Sequence, residues 1–191
     1  MEKSLTELAQ IVVLAETRQT PLVLAKLAYD RNDLDPVMSK ALVDYHYGTL
    51  AKGYVTRYNA GQGDADFNRA GAFLHNIFFP QLKSPSGANK PHGASQELIN
   101  KHYSGGLTEL KEQIAAEAMK LQGSGWIYLA RDGSIKTIKN HAIKNDIILL
   151  IDLWEHSYNL DYLADKAAYL KNMWRIIDWS VINDRINSKT K

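Results

Sequence analysis

The chain has 191 residues, 45% of them hydrophobic and 23% charged, which suits one globular unit or two small lobes sharing a core and excludes disorder. Lys and Arg number 23 against 21 Asp and Glu, for a formal net charge of +2; the basic residues are scattered and form no stripe for nucleic acid. There is no cysteine, so disulfides, thiolate metal sites and cysteine nucleophiles are excluded, and any metal must be held by His, Asp, Glu or water.

In chain order, Leu5, Leu8, Val12 and Ala15 predict a small amphipathic helix over 3–18. Its IVVLA run follows a polar start and makes a poor secretory signal. No apolar run approaches the roughly 20 residues that span a bilayer. The expected location is cytoplasmic, with no membrane and no nucleic acid among the partners.

Ser39 predicts the cap of a helix running through Val43 and Tyr47 toward Tyr54. NAGQGDAD (59–66) is a turn by composition, and a helix from Phe67 to Phe79 follows, ended by Pro80. SPSGANKPHGAS (84–95) is a Pro/Gly/Ser loop and the candidate boundary between lobes. Helices are expected near Gln96–His102 and from Leu107 to Leu121.

The character then changes. GWIYLA (125–130), a turn at Arg131, Asp132 and Gly133, and SIKTIKN (134–140) predict a β-hairpin. IILLI (147–151), continuously apolar, predicts a third strand buried on both faces. The remainder, through Leu163, Leu170, Trp174, Ile177 and Val181, reads as helical. The expected class is α+β: an N-terminal helical hairpin lobe, then a C-terminal lobe with a three-stranded antiparallel sheet flanked by helices.

With cysteine absent, the six histidines carry the chemical question. His92 lies in a Pro/Gly loop and His102 near a helix end, where both suit plain surface positions. The other four, His46, His75, His141 and His156, fall in apolar or aromatic surroundings. A lone buried His is more often a hydrogen-bonded core residue than a ligand. In IDLWEHSYNLDY (151–162), however, the third strand runs straight into Asp152, Trp154, Glu155 and His156. That is either the polar start of a surface helix or part of a site for iron, manganese or zinc. Spacing alone leaves both open.

DLWEHSYNLDY resembles the signature of the iron/manganese superoxide dismutase family, D-x-W-E-H-A-Y-Y-x-x-Y. LAYDRNDLDPVMSKALVDYHYGTLAKGYV, GAFLHNIFF, LKSPSGANKPHG and GSGWIYLARDGSI resemble further family segments in the same order. The resemblance runs over roughly residues 24–186. It implies a metal held by His46, His75, Asp152 and His156, with iron preferred over manganese and one ion per subunit. Tyr54 and His141 become the catalytic pair beside the ion, where His141 stands in place of the more usual Gln. Trp126 and Trp154 become pocket aromatics, Glu155 reaches a ligand histidine of the partner subunit, and Lys166, with help from Lys52, steers the anion.

The implied activity is conversion of superoxide to dioxygen and hydrogen peroxide by a homodimer or dimer of dimers. The implied organisation is an extension at 1–22, a helical hairpin domain at 23–88 and an α+β domain at 89–191. Several positions depart from the pattern. Leu50 stands where the family usually has His, Asn159 where it has Tyr, and Phe79, before Pro80, where it has Trp; His46 and His75 are only 29 positions apart. These departures keep open a second reading, a weakly active or non-catalytic metal-binding relative. A zinc hydrolase fits less well, because no general base stands near the set.

Overall fold

The computed structural model describes residues 20–188; the helix expected over 3–18 lies outside them. The described chain begins as an extended segment fixed by two amides. Asn59 accepts from the Leu22 N–H and donates to its carbonyl, and Asn76 does the same between Ala25 and Val23.

Ser39 caps helix α1 (Lys40–Tyr45) by accepting from the Leu42 N–H at 3.1 Å. The chain does not continue as one α-helix. It passes through a π-helical turn, His46–Ala51, before α2 (Lys52–Asn59). A π-turn takes up an extra residue in the helical path. At about 100° per residue, eight α-helical steps from His46 would set Tyr54 about 80° away around the axis. Absorbing one residue reduces this to about 20°, so both side chains face inward.

Asp64 caps α3 (Ala65–Phe78), accepting from the Phe67 N–H at 2.8 Å. The helix stops just before Pro80, which the sequence marked as its end, and a short 3₁₀ turn at Phe79–Gln81 carries that proline. Helices α4 (Gly93–His102) and α5 (Gly106–Lys120) lie near their expected positions.

Strands β1 (Gly125–Ala130), β2 (Ile135–Lys139) and β3 (Ile147–Asp152) form the expected antiparallel sheet, in the order β2-β1-β3. Every residue of β1 and β3 is buried. The outer edge of β3 would leave unpaired backbone groups. Buried Gln81 bonds both the N–H and the carbonyl of Leu150, and Arg185 donates to the Ile148 carbonyl at 3.0 Å.

The C-terminal part departs from the helical reading. It is divided into a 3₁₀ turn at Glu155–Ser157, α6 (Asn159–Tyr162), α7 (Lys166–Met173) and α8 (Trp179–Asn187). Leu163 sits at positive φ and is 73% exposed, so it is neither helical nor core. Ile177 bridges to Leu82 between helices. The apolar spacing spanned breaks that Asp165 and Asp178 mark as new helix caps.

Candidate metal centre

Four side chains from four separate elements meet at one point. His46 comes from the π-turn, His75 from α3, Asp152 from the end of β3 and His156 from the 3₁₀ turn after it. One donor atom from each lies within 4.8 Å of the others. Asp152 Oδ2 is 3.1 Å from His46 Nε2, 3.5 Å from His156 Nε2 and 3.8 Å from His75 Nε2. His46 and His75 Nε2 are 3.1 Å apart. Donors about 2.0–2.2 Å from a shared ion sit at such spacings.

Local geometry aims these atoms. His75 Nδ1 bonds the Gly71 carbonyl one helical turn back, at 2.7 Å, which places the proton on Nδ1 and leaves Nε2 a free lone pair. The Trp154 N–H donates to Asp152 Oδ1 at 2.8 Å and fixes the carboxylate. The other oxygen, Asp152 Oδ2, is buried without a hydrogen-bond donor among the described residues, as is His156 Nε2. A buried carboxylate oxygen with no donor is costly unless a cation answers it. The residues present therefore fit a metal ion.

Burial keeps the His75 and His46 imidazoles neutral: it pushes His75 down to about 3 and lowers His46 as well. For Asp152, burial alone would raise the carboxyl; the His156 and His46 ring nitrogens that face it outweigh burial and hold it well below the usual carboxylate range. Neutral imidazoles and an ionised carboxylate are the ligand forms a divalent or trivalent ion needs.

Aromatic rings wall this group. The Trp126 ring meets His75 edge-on at 5.1 Å, brought there because Trp126 pairs with Asp152 in the β1–β3 register. Phe79 lies 4.9 Å from His46. Trp154 stacks on His141 at 4.6 Å and on His156 at 5.4 Å. Tyr54 donates to or accepts from His141 Nε2 at 3.0 Å, and Trp126 Nε1 donates to His141 Nδ1 at 3.1 Å. Burial lowers His141 to about 4. It also pushes Tyr54 up to about 12, with Asp152 adding to the rise and Arg57 opposing it.

Lys166 donates to the Ala118 carbonyl at 3.1 Å, at the end of α5, and borders a cavity of about 320 Å³ that reaches Trp154, Glu155 and His156. Glu155 and Asn159 are exposed, Leu50 is half-buried, and Lys52 is exposed on α2. Two residues at the site were absent from the expectations. Phe67 packs on Tyr54, His141 and Trp154, and only its aromatic character in the first turn of α3 could have flagged it. Arg57 lies over the Tyr54 ring; three residues after Tyr54 is helical spacing, the one available hint.

Comparison with known proteins points the same way. The family model described as iron/manganese superoxide dismutases, C-terminal domain, matches residues 91–185. A protein of Bacteroides fragilis named superoxide dismutase [Fe] is 32% identical, over 85% of this chain and 98% of its own. One from Porphyromonas gingivalis, named superoxide dismutase [Mn/Fe], is 33% identical over 85% and 97%. Superoxide dismutase [Mn] 1, mitochondrial, of Arabidopsis thaliana is 31% identical over 84% and 83%.

Proposed function

Starting from a chain that belongs to the iron/manganese superoxide dismutase family, we propose that it converts superoxide to dioxygen and hydrogen peroxide at one iron or manganese ion. The carrying observation is the convergence of His46, His75, Asp152 and His156 within 4.8 Å. These four would hold the ion, two from the proposed hairpin domain (23–88) and two from the proposed α+β domain (89–191). Iron is placed ahead of manganese on the resemblance of His141, in place of the more usual Gln, to iron-type members.

The chemistry such an ion supplies when bound is one-electron exchange, oxidising one superoxide and reducing a second. The chain's own residues then manage protons and access. Because Trp126 donates to His141 Nδ1, the His141 proton sits on Nε2. That N–H donates to the Tyr54 oxygen, so the Tyr54 hydroxyl hydrogen remains free to be given onward. Tyr54, far from ionising at neutral pH, holds its proton at that oxygen. Trp126, Phe79 and Trp154 exclude water around the ligand atoms, and Lys166 places positive charge on the cavity beside His156.

His156→Ala should abolish both bound metal and dismutation, measured by elemental analysis and superoxide consumption on one sample. Full loading of the wild type with no activity above free metal would sink the enzyme reading. The departures at Leu50 and Asn159 favour one alternative, a metal-binding relative with weak or no turnover. Restoring Leu50→His and Asn159→Tyr together should raise turnover if the gateway limits it. The proposed assembly is a homodimer in which exposed Glu155 reaches His156 of the partner subunit. Glu155→Ala should then weaken association in sedimentation; an unchanged dimer would remove that contact. The cytoplasm remains the proposed location, and among the described residues no helix is long and apolar enough to cross a membrane.

A further inference from the structure

We propose that Arg57, seated over the Tyr54 ring, sets the affinity of the site for small anions through its charge, a role that rests on the superoxide reading. The Arg57 guanidinium lies 5.1 Å above the Tyr54 ring centroid, within cation–π range. It is held there from the next helix: Arg57 Nε donates to Asn68 Oδ1 at 3.0 Å, and buried Asn68 donates in turn to the Gln62 carbonyl at 2.9 Å. The α2–α3 turn is thereby tied to the arginine head.

The ring has little room to move. At Gly71, a Cβ would sit only 2.8 Å from Tyr54 Cδ1, so the α3 backbone presses on the ring while Arg57 covers it. The hydroxyl of that same ring meets His141. Arg57 therefore acts on the site at Tyr54. The guanidinium adds positive potential at a group facing an anionic substrate. Lys166 lies elsewhere, on the cavity beside His156, so the two charges are not redundant.

A purely structural staple and a charge acting through Tyr54 differ in their response to salt. Arg57 is exposed, and its field is screened over about 10 Å at 0.1 M salt. The test is azide binding to the iron- or manganese-loaded protein by optical titration, at low and high ionic strength, for wild type, Arg57→Gln and Arg57→Lys, with metal content measured in each. Arg57→Gln should bind azide about two- to fivefold more weakly at low salt, the size of one partly screened charge acting on an anion, and the gap should close at high salt. Arg57→Lys, keeping the charge but losing the planar fork, should recover part of the affinity. Azide affinity and salt dependence unchanged in Arg57→Gln, at unchanged metal content, would overturn the role of Arg57. So would a loss that is the same at both salt concentrations, which marks a staple alone. A wild-type chain that takes up no metal would overturn the superoxide reading and this role with it.

Discussion

Gly71 shows how one missing side chain shapes the site. Glycine inside a helix costs about 1 kcal/mol relative to alanine, yet here the Tyr54 ring occupies the space where a Cβ would be. Gly71→Ala should therefore destabilise the protein by about 1–2 kcal/mol despite its better helix propensity, because overpacking outweighs the gain. A melting midpoint equal to or above wild type would show that the ring yields freely. The buried imidazoles make a second claim at this scale. His75 and His141 have folded values of about 3 and about 4, below the ordinary 6.5. Below about pH 6.5 the unfolded chain takes up protons that the fold refuses, so stability falls as pH falls. The metal-free chain should lose about 1.4 kcal/mol per pH unit for each group between pH 6.5 and 4. Denaturant midpoints flat across that window would show that these rings are less confined than the geometry indicates.

At the scale of elements, the π-turn His46–Ala51 brings His46 and Tyr54 onto one face. No residue in HYGTLA announces it; only the eight-residue separation between two inward-facing side chains hints at a helix out of α-phase. Ser39 matters for the same helix. It caps α1, and its N–H and hydroxyl both donate to Asp161, at 2.7 and 2.6 Å, tying α1 to α6. Ser39→Ala should cost about 1–2 kcal/mol, visible in denaturant unfolding, and Asp161→Ala should remove part of the same energy rather than add to it. Full additivity of the two would refute the shared tie. The sheet was easier to read, since β1 and β3 are apolar runs bounded by turn residues. The C-terminal helices were harder, because apolar spacing continues across the breaks at Leu163 and Ile177.

For the whole molecule, the proposed metal binding would be linked to folding, since the four donors come together only when the hairpin helices and the sheet pack. An ion at a thousand times its dissociation constant stabilises the fold by about 4 kcal/mol. For a chain of this size that is roughly 8–16 °C in melting midpoint. Chelator-treated protein should melt lower by that order and recover on adding iron or manganese; equal midpoints with metal bound would deny the linkage. The sequence by itself determined the α+β class and the strand positions, and through the D-x-W-E-H stretch it raised Asp152 and His156 as the proposed ligands, because these rest on local periodicity and a contiguous motif. Tertiary structure alone decided that Trp126 stands opposite Asp152, that His141 binds Trp126 and Tyr54 with its two nitrogens, and that Phe67 and Arg57 complete the surroundings. Each of these depends on strand register, helix phase or packing between segments distant in the chain, and none of those quantities is written in any one stretch of residues.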